Sequence, residues 1–181
     1  MQALRVCRAA LDRVLEVVAV ILIVALTVII VLGFGYRYAG YALVWYDEIA
    51  SIGLAWLTYY AGALAALRGA HIGFPGLVNA MPMPLRVAAT LAAELLVIGF
   101  FALLAVTGLE VFQILRGSTL VSLPEVSMQI TQSVIPITAA LFILAVLLRL
   151  PDTLAEARKG ELADHELKEA LASVKGEGTQ R

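Results

Sequence analysis

The chain has 181 residues, 61% hydrophobic and 15% charged, with a formal net charge of −1 and a mean hydropathy of +0.92. Soluble domains are about half apolar and a quarter charged, so this composition excludes an ordinary water-soluble core and names lipid as the solvent. It leaves no basic patch of the nucleic-acid-binding kind, and a lone cysteine, Cys7, excludes a disulfide framework or a cysteine metal site.

Four apolar runs, 14–34, 49–67, 87–115 and 130–150, are separated by short polar joints. At about 1.5 Å per residue the first, second and fourth are each roughly 30 Å long as helices, the thickness of a hydrocarbon core. They lack the alternation of barrel strands, and lipid offers the backbone no partners, so each is predicted to be a transmembrane helix. Arg5, Arg8 and Arg13 precede the first run as they would a secretory signal. The run is longer than a signal core, however, and no small-x-small cleavage site follows, so it reads as an anchor. Cys7 beside it reads as a reduced thiol or a lipidation site at the membrane surface.

The joint after the first run holds Arg37, Trp45, Tyr46, Asp47 and Glu48. Aromatic rings suit a membrane interface, and two acids at the start of the second helix complement its dipole, with Arg37 as their expected ionic partner. Along the second run Ser51, Ala55, Gly62 and Ala66 are small enough for close helix approach. The joint 68–86 is broken by glycines and prolines yet carries Ile72, Phe74, Leu77, Val78 and Met81, which predicts an elbow lying along the cytoplasmic membrane surface. His71, close to Arg68, is expected there in a headgroup contact or a helix-end hydrogen bond rather than a proton relay.

The third run would measure roughly 43 Å as one helix, so it must tilt or project. Inside it Glu94 is either a hydrogen-bonded packing group or an ion-coupling site, since an ionisable residue in lipid needs a partner. Glu110 shares a face with Thr107 and Gln113 near Arg116, an interfacial cluster on the side of the helix nearly opposite Glu94. In the fourth run Gln129, Gln132, Ser133, Pro136 and Ala140 fall on one side, a polar stripe of the kind that glues helices together. Pro151 is expected to end this span, with Asp152 capping a short helix over 153–159 that Gly160 closes. Residues 162–174 read as a docking helix or a solvated tail, and 176–181 as disordered.

The organisation is therefore an N-terminal tail (1–13), a four-helix transmembrane domain (14–150) and a C-terminal tail (151–181). Arg5, Arg8, Arg13, Arg68, Arg86, Arg149, Arg158, Lys159 and Lys168 flank the spans on one side, nine against Arg37 and Arg116 in the other two joints, which predicts both termini in the cytoplasm. His71 and His165 share no ligand spacing with acids, and no Walker loop, GxSxG elbow or HExxH helix occurs, so no catalytic residue, metal or cofactor is expected.

Arg37-Tyr38, Trp45-Tyr46-Asp47-Glu48, Trp56, Gly62-Ala63, Arg68 and His71 follow one another in an order and spacing that resembles the small membrane subunit of tripartite ATP-independent periplasmic (TRAP) transporters, the DctQ-like family. The resemblance extends as an architecture over residues 10–150; Phe74-Pro75, where the family commonly has an acidic residue, is a departure. It implies a bacterial inner-membrane uptake system for organic acids driven by an ion gradient, usually sodium. A large membrane subunit would move substrate, a periplasmic binding protein would deliver it, and this chain, in contact with lipids, would be a scaffold with no catalytic role. Two readings from other classes stand beside it: a stand-alone channel or proton-coupled carrier using Glu94, and a subunit of a membrane enzyme.

Overall fold

The computed structural model describes residues 2–69 and 75–160. Its helices are α1 (Gln2–Tyr38), α2 (Tyr46–Arg68), α3 (Pro75–Asn79), α4 (Met83–Ile114), α5 (Met128–Gln132) and α6 (Val134–Lys159). Val6–Tyr38, Tyr46–Arg68, Met83–Ile114 and Met128–Lys159 are long and apolar enough to cross a membrane, so the all-α, four-span expectation holds. His71, Phe74 and the expected features of 161–181 lie outside the described residues.

The spans stand in a row, α1 on α2, α2 on α6 and α6 on α4. Leu15, Ala63, Ala66, Leu67, Phe142, Ala145 and Val146 form the buried core, with Val97, Ile98 and Phe101 of α4 packed against it. Phe101 stacks on Phe142 with ring centroids 3.6 Å apart. α6, packed between α2 and α4, contributes more buried residues than any other helix. The outer helices leave Val20, Ile21, Val24, Leu95, Leu96 and Phe100 exposed, which is unfavourable in water and neutral in lipid.

The tightest approach is at Gly108, the one buried residue of α4. A Cβ there would lie 2.9 Å from Ile135 Cγ2 and 3.1 Å from Pro136 Cδ, so only glycine lets α4 and α6 meet at this height. The small residues expected to serve this purpose on α2 divide. Ala66 is buried, but Gly62 has nothing within 4 Å of where a Cβ would be, and Ser51 and Ala55 are exposed.

Two expectations about the fourth span fail. It does not stop at Pro151, because α6 continues to Lys159. Proline removes one intrahelical hydrogen bond, and packing compensates here: Thr153 and Ala157 are buried, and the Thr153 hydroxyl donates to the Arg149 carbonyl at 3.3 Å. Asp152 therefore caps nothing, although Gly160, at φ +78°, does close the helix. The span is also interrupted near its start, at Ser133 between α5 and α6. Pro136 has no amide hydrogen to offer the Gln132 carbonyl, and Ser133 N–H instead donates to Gln129 at 3.0 Å and Ile130 at 3.3 Å.

Candidate functional site

Polar side chains gather at the two ends of the row. At the end away from the N-terminus of α1, Glu48 in the first turn of α2 reaches across to the α4–α5 connection. Its carboxylate accepts hydrogen bonds from Val121 N–H at 3.2 Å, from Ser122 N–H at 2.8 Å and from the Ser122 hydroxyl. That connection is held in shape by Leu120 N–H to Val126 O at 3.0 Å and Met128 N–H to Ser118 O at 2.9 Å, with Leu120 buried beneath. The expected partnership with Arg37 is not formed: among the described residues Arg37 makes no salt bridge and is exposed, as is Asp47. Adjacent backbone donors fix a carboxylate more tightly than a guanidinium on a long exposed chain does. Tyr46 lies over Gly33 of α1 so closely that a Cβ would collide with its ring, which pins the start of α2. Trp45 is half-buried beside it.

About two turns further along α2 from Glu48, Trp56 donates its indole N–H to the Thr131 carbonyl at 2.9 Å, tying α2 to α5. Of the expected polar stripe, Gln129 donates to the Phe112 carbonyl of α4 at 2.8 Å and Ser133 to the Ile130 carbonyl at 2.6 Å. Both are satisfied within the chain. Gln132 is not: half-buried, its amide makes no hydrogen bond among the described residues and lines an open groove of about 310 Å³ with Ser51, Ala55, Trp56 and Ile135. Ala140, further along the same side, is exposed.

At the opposite end Arg68 is clasped by α1, with Nε to Asp12 Oδ1 at 2.8 Å, Nη2 to Asp12 Oδ2 at 2.9 Å and Nη2 to Glu16 Oε2 at 3.2 Å. Arg8 pairs with Asp152 of α6 at 2.6 Å and lies 3.4 Å from the Leu67 carbonyl. Arg86, at the base of α4, donates to the free carbonyls at the end of α6, Ala157 and Arg158, and to Asn79 at 3.2 Å. One guanidinium thus joins the α3 turn to the last turn of α6. The partners of Arg68 are thus Asp12 and Glu16 of α1, far from it in sequence. These acids lie one turn apart on one face, a spacing that was available as a signal, whereas nothing in the sequence marks Ser122 as a partner for Glu48.

Glu94 lies half-exposed on α4 and feels the charge of Arg149 of α6 without forming a salt bridge to it. Glu110 is exposed on α4 and makes no ion pair with Arg116 among the described residues. The two carboxylates do not meet, and among the described residues no group of three or more His, Cys, Asp or Glu is arranged to hold a metal.

A comparison with protein-family models matches residues 26–156 to the family described as tripartite ATP-independent periplasmic transporters, DctQ component. No curated protein matches the chain.

Proposed function

The chain belongs to the DctQ family, the small membrane component of TRAP transporters, and from that membership we propose that it serves as a scaffold subunit in the bacterial inner membrane. It holds the static part of a large, substrate-carrying membrane subunit, while a periplasmic binding protein delivers an organic acid whose uptake runs on an ion gradient, with sodium favoured. In this reading both termini are cytoplasmic, and the end of the row carrying Arg37, Trp45, Asp47 and Glu48 faces the periplasm, where the binding protein docks.

The observation that carries the proposal is Gln132. An amide at membrane depth with no hydrogen bond is costly, and the open groove it shares with Ser51 and Ala55 has room for a side chain from another protein. The row supports the same reading, since its outer helices present broad apolar faces.

The test is reconstitution. In liposomes with a sodium gradient and a panel of organic acids, the chain alone shows no uptake, and adding the large subunit and binding protein restores it. Substrate-specific uptake by the isolated chain sinks the scaffold reading in favour of a stand-alone carrier using Glu94.

A further inference from the structure

At the terminus-bearing end an open cavity of about 400 Å³ lies between α1, α2 and α6, lined by Arg8, Arg68, Arg149, Lys159, Asp152 and Glu156. Four cations face two carboxylates. Arg68 is already engaged by Asp12 and Glu16, and Arg8 by Asp152. Arg149 differs from both. Its guanidinium is half-buried and makes no hydrogen bond or salt bridge with any described residue; Glu156, Glu94 and Asp152 act on it only through their fields. It rests against Gly69, whose φ of +74° and missing Cβ leave the space that the guanidinium fills, so the side chain is held in place and not swept through solvent.

A fixed, half-buried guanidinium with unused donors is costly without an anion, and its planar fork matches the oxygens of a phosphate group. Arg149 also stands where the 130–150 apolar run ends, at the depth of lipid headgroups. We propose that this cavity binds a phosphate group, either the ester of an anionic phospholipid or free phosphate, with Arg149 as the bidentate ligand and Arg8 and Lys159 as flanking charges. The proposal requires only that these helices lie in a membrane and is independent of the transporter partners.

The full chain, purified in detergent free of phosphate, is titrated with dioleoylphosphatidylglycerol, with dioleoylglycerol as the phosphate-free control, and with inorganic phosphate, each followed by native mass spectrometry. The expected result is about tenfold stronger retention of phosphatidylglycerol than of dioleoylglycerol, lost in Arg149→Gln and kept in Arg116→Gln at the other end of the row. Bound inorganic phosphate that depends on Arg149, without a preference for phosphatidylglycerol, also supports the site and identifies the free anion as its ligand. Retention of neither, or equal retention by Arg149→Gln and wild type, overturns the proposal. If Arg149→Gln does not yield folded protein, Lys159→Gln, exposed at the end of α6, replaces it; an unchanged preference in that variant overturns the proposal equally.

Discussion

Glu48 and Ser122 are 74 residues apart in sequence and are joined by two hydrogen bonds, one from the Ser122 amide and one from its hydroxyl. Through them the first turn of α2 fixes the connection that leads into the fourth span, and Val121 N–H adds a third bond at 3.2 Å.

Removing that carboxylate frees the connection. In Glu48→Ala the amides of Val121 and Ser122 are expected to exchange hydrogen about tenfold faster or more, because local opening no longer breaks bonds to a fixed acceptor. Arg37→Gln is expected to leave both amides unchanged. Hydrogen exchange read by mass spectrometry on the peptide over 118–128 checks this, and equal rates in Glu48→Ala and wild type reject the clasp.

The bidentate pair of Arg68 with Asp12 should be measurable as a coupling. Both side chains are about a third exposed, so a double-mutant cycle of Arg68→Gln with Asp12→Asn is expected to return roughly 0.2–1 kcal/mol, smaller at high salt. Thermal unfolding of the chain in detergent is the readout. Strictly additive effects of the two substitutions would show that α1 is not held here.

Gly108 and Gly62 should respond in opposite directions. Gly108→Val forces methyl groups into Ile135 and Pro136 and is expected to cost about 1–3 kcal/mol. Gly62→Ala meets nothing within 4 Å and is expected to be neutral, or to stabilise by up to about 1 kcal/mol through helix propensity. Comparable losses for the two would mean that α4 and α6 do not meet at Gly108.

The orientation proposed from the charge bias is tested by labelling. In a Cys7→Ser background, an impermeant thiol reagent on intact cells should modify Ser118→Cys and spare Ser173→Cys. The reverse pattern turns the protein over in the membrane.

Within the assembled transporter, Glu94→Gln keeps shape and hydrogen-bonding capacity and is expected to leave uptake largely intact, whereas Glu94→Leu weakens the complex. Loss of ion-coupled uptake in Glu94→Gln, with the subunits still together, assigns Glu94 to ion coupling.

The spans were legible because membrane thickness imposes a length that composition alone reveals, and the stop at Gly160 because only a left-handed residue closes a helix in this way. The Arg37–Glu48 pairing was misread because opposite charges in one short joint look sufficient, while the actual donors are backbone amides, which carry no signature in sequence. The continuation through Pro151 was illegible for a related reason: it rests on the burial of Thr153 and Ala157, and on Arg86, 65 residues before the proline, supplying donors to the end of α6. The order α1, α2, α6, α4 in the row lies beyond periodicity altogether, since a helix's apolar face does not say which helix covers it.

Tyr46 over Gly33 and Arg68 on Asp12 act as two pins about one helix length apart, and together they set how far α1 slides along α2. With that register fixed, α1 overshoots the end of α2 by the ten residues before Asp12, about 15 Å at helical rise. α6 overshoots with it, and Arg8 bonded to Asp152 splices the two into a short post. Beyond the end of α2 this post is what keeps α1 and α6 together, so severing Arg8 from Asp152 is expected to let the two helix ends splay apart.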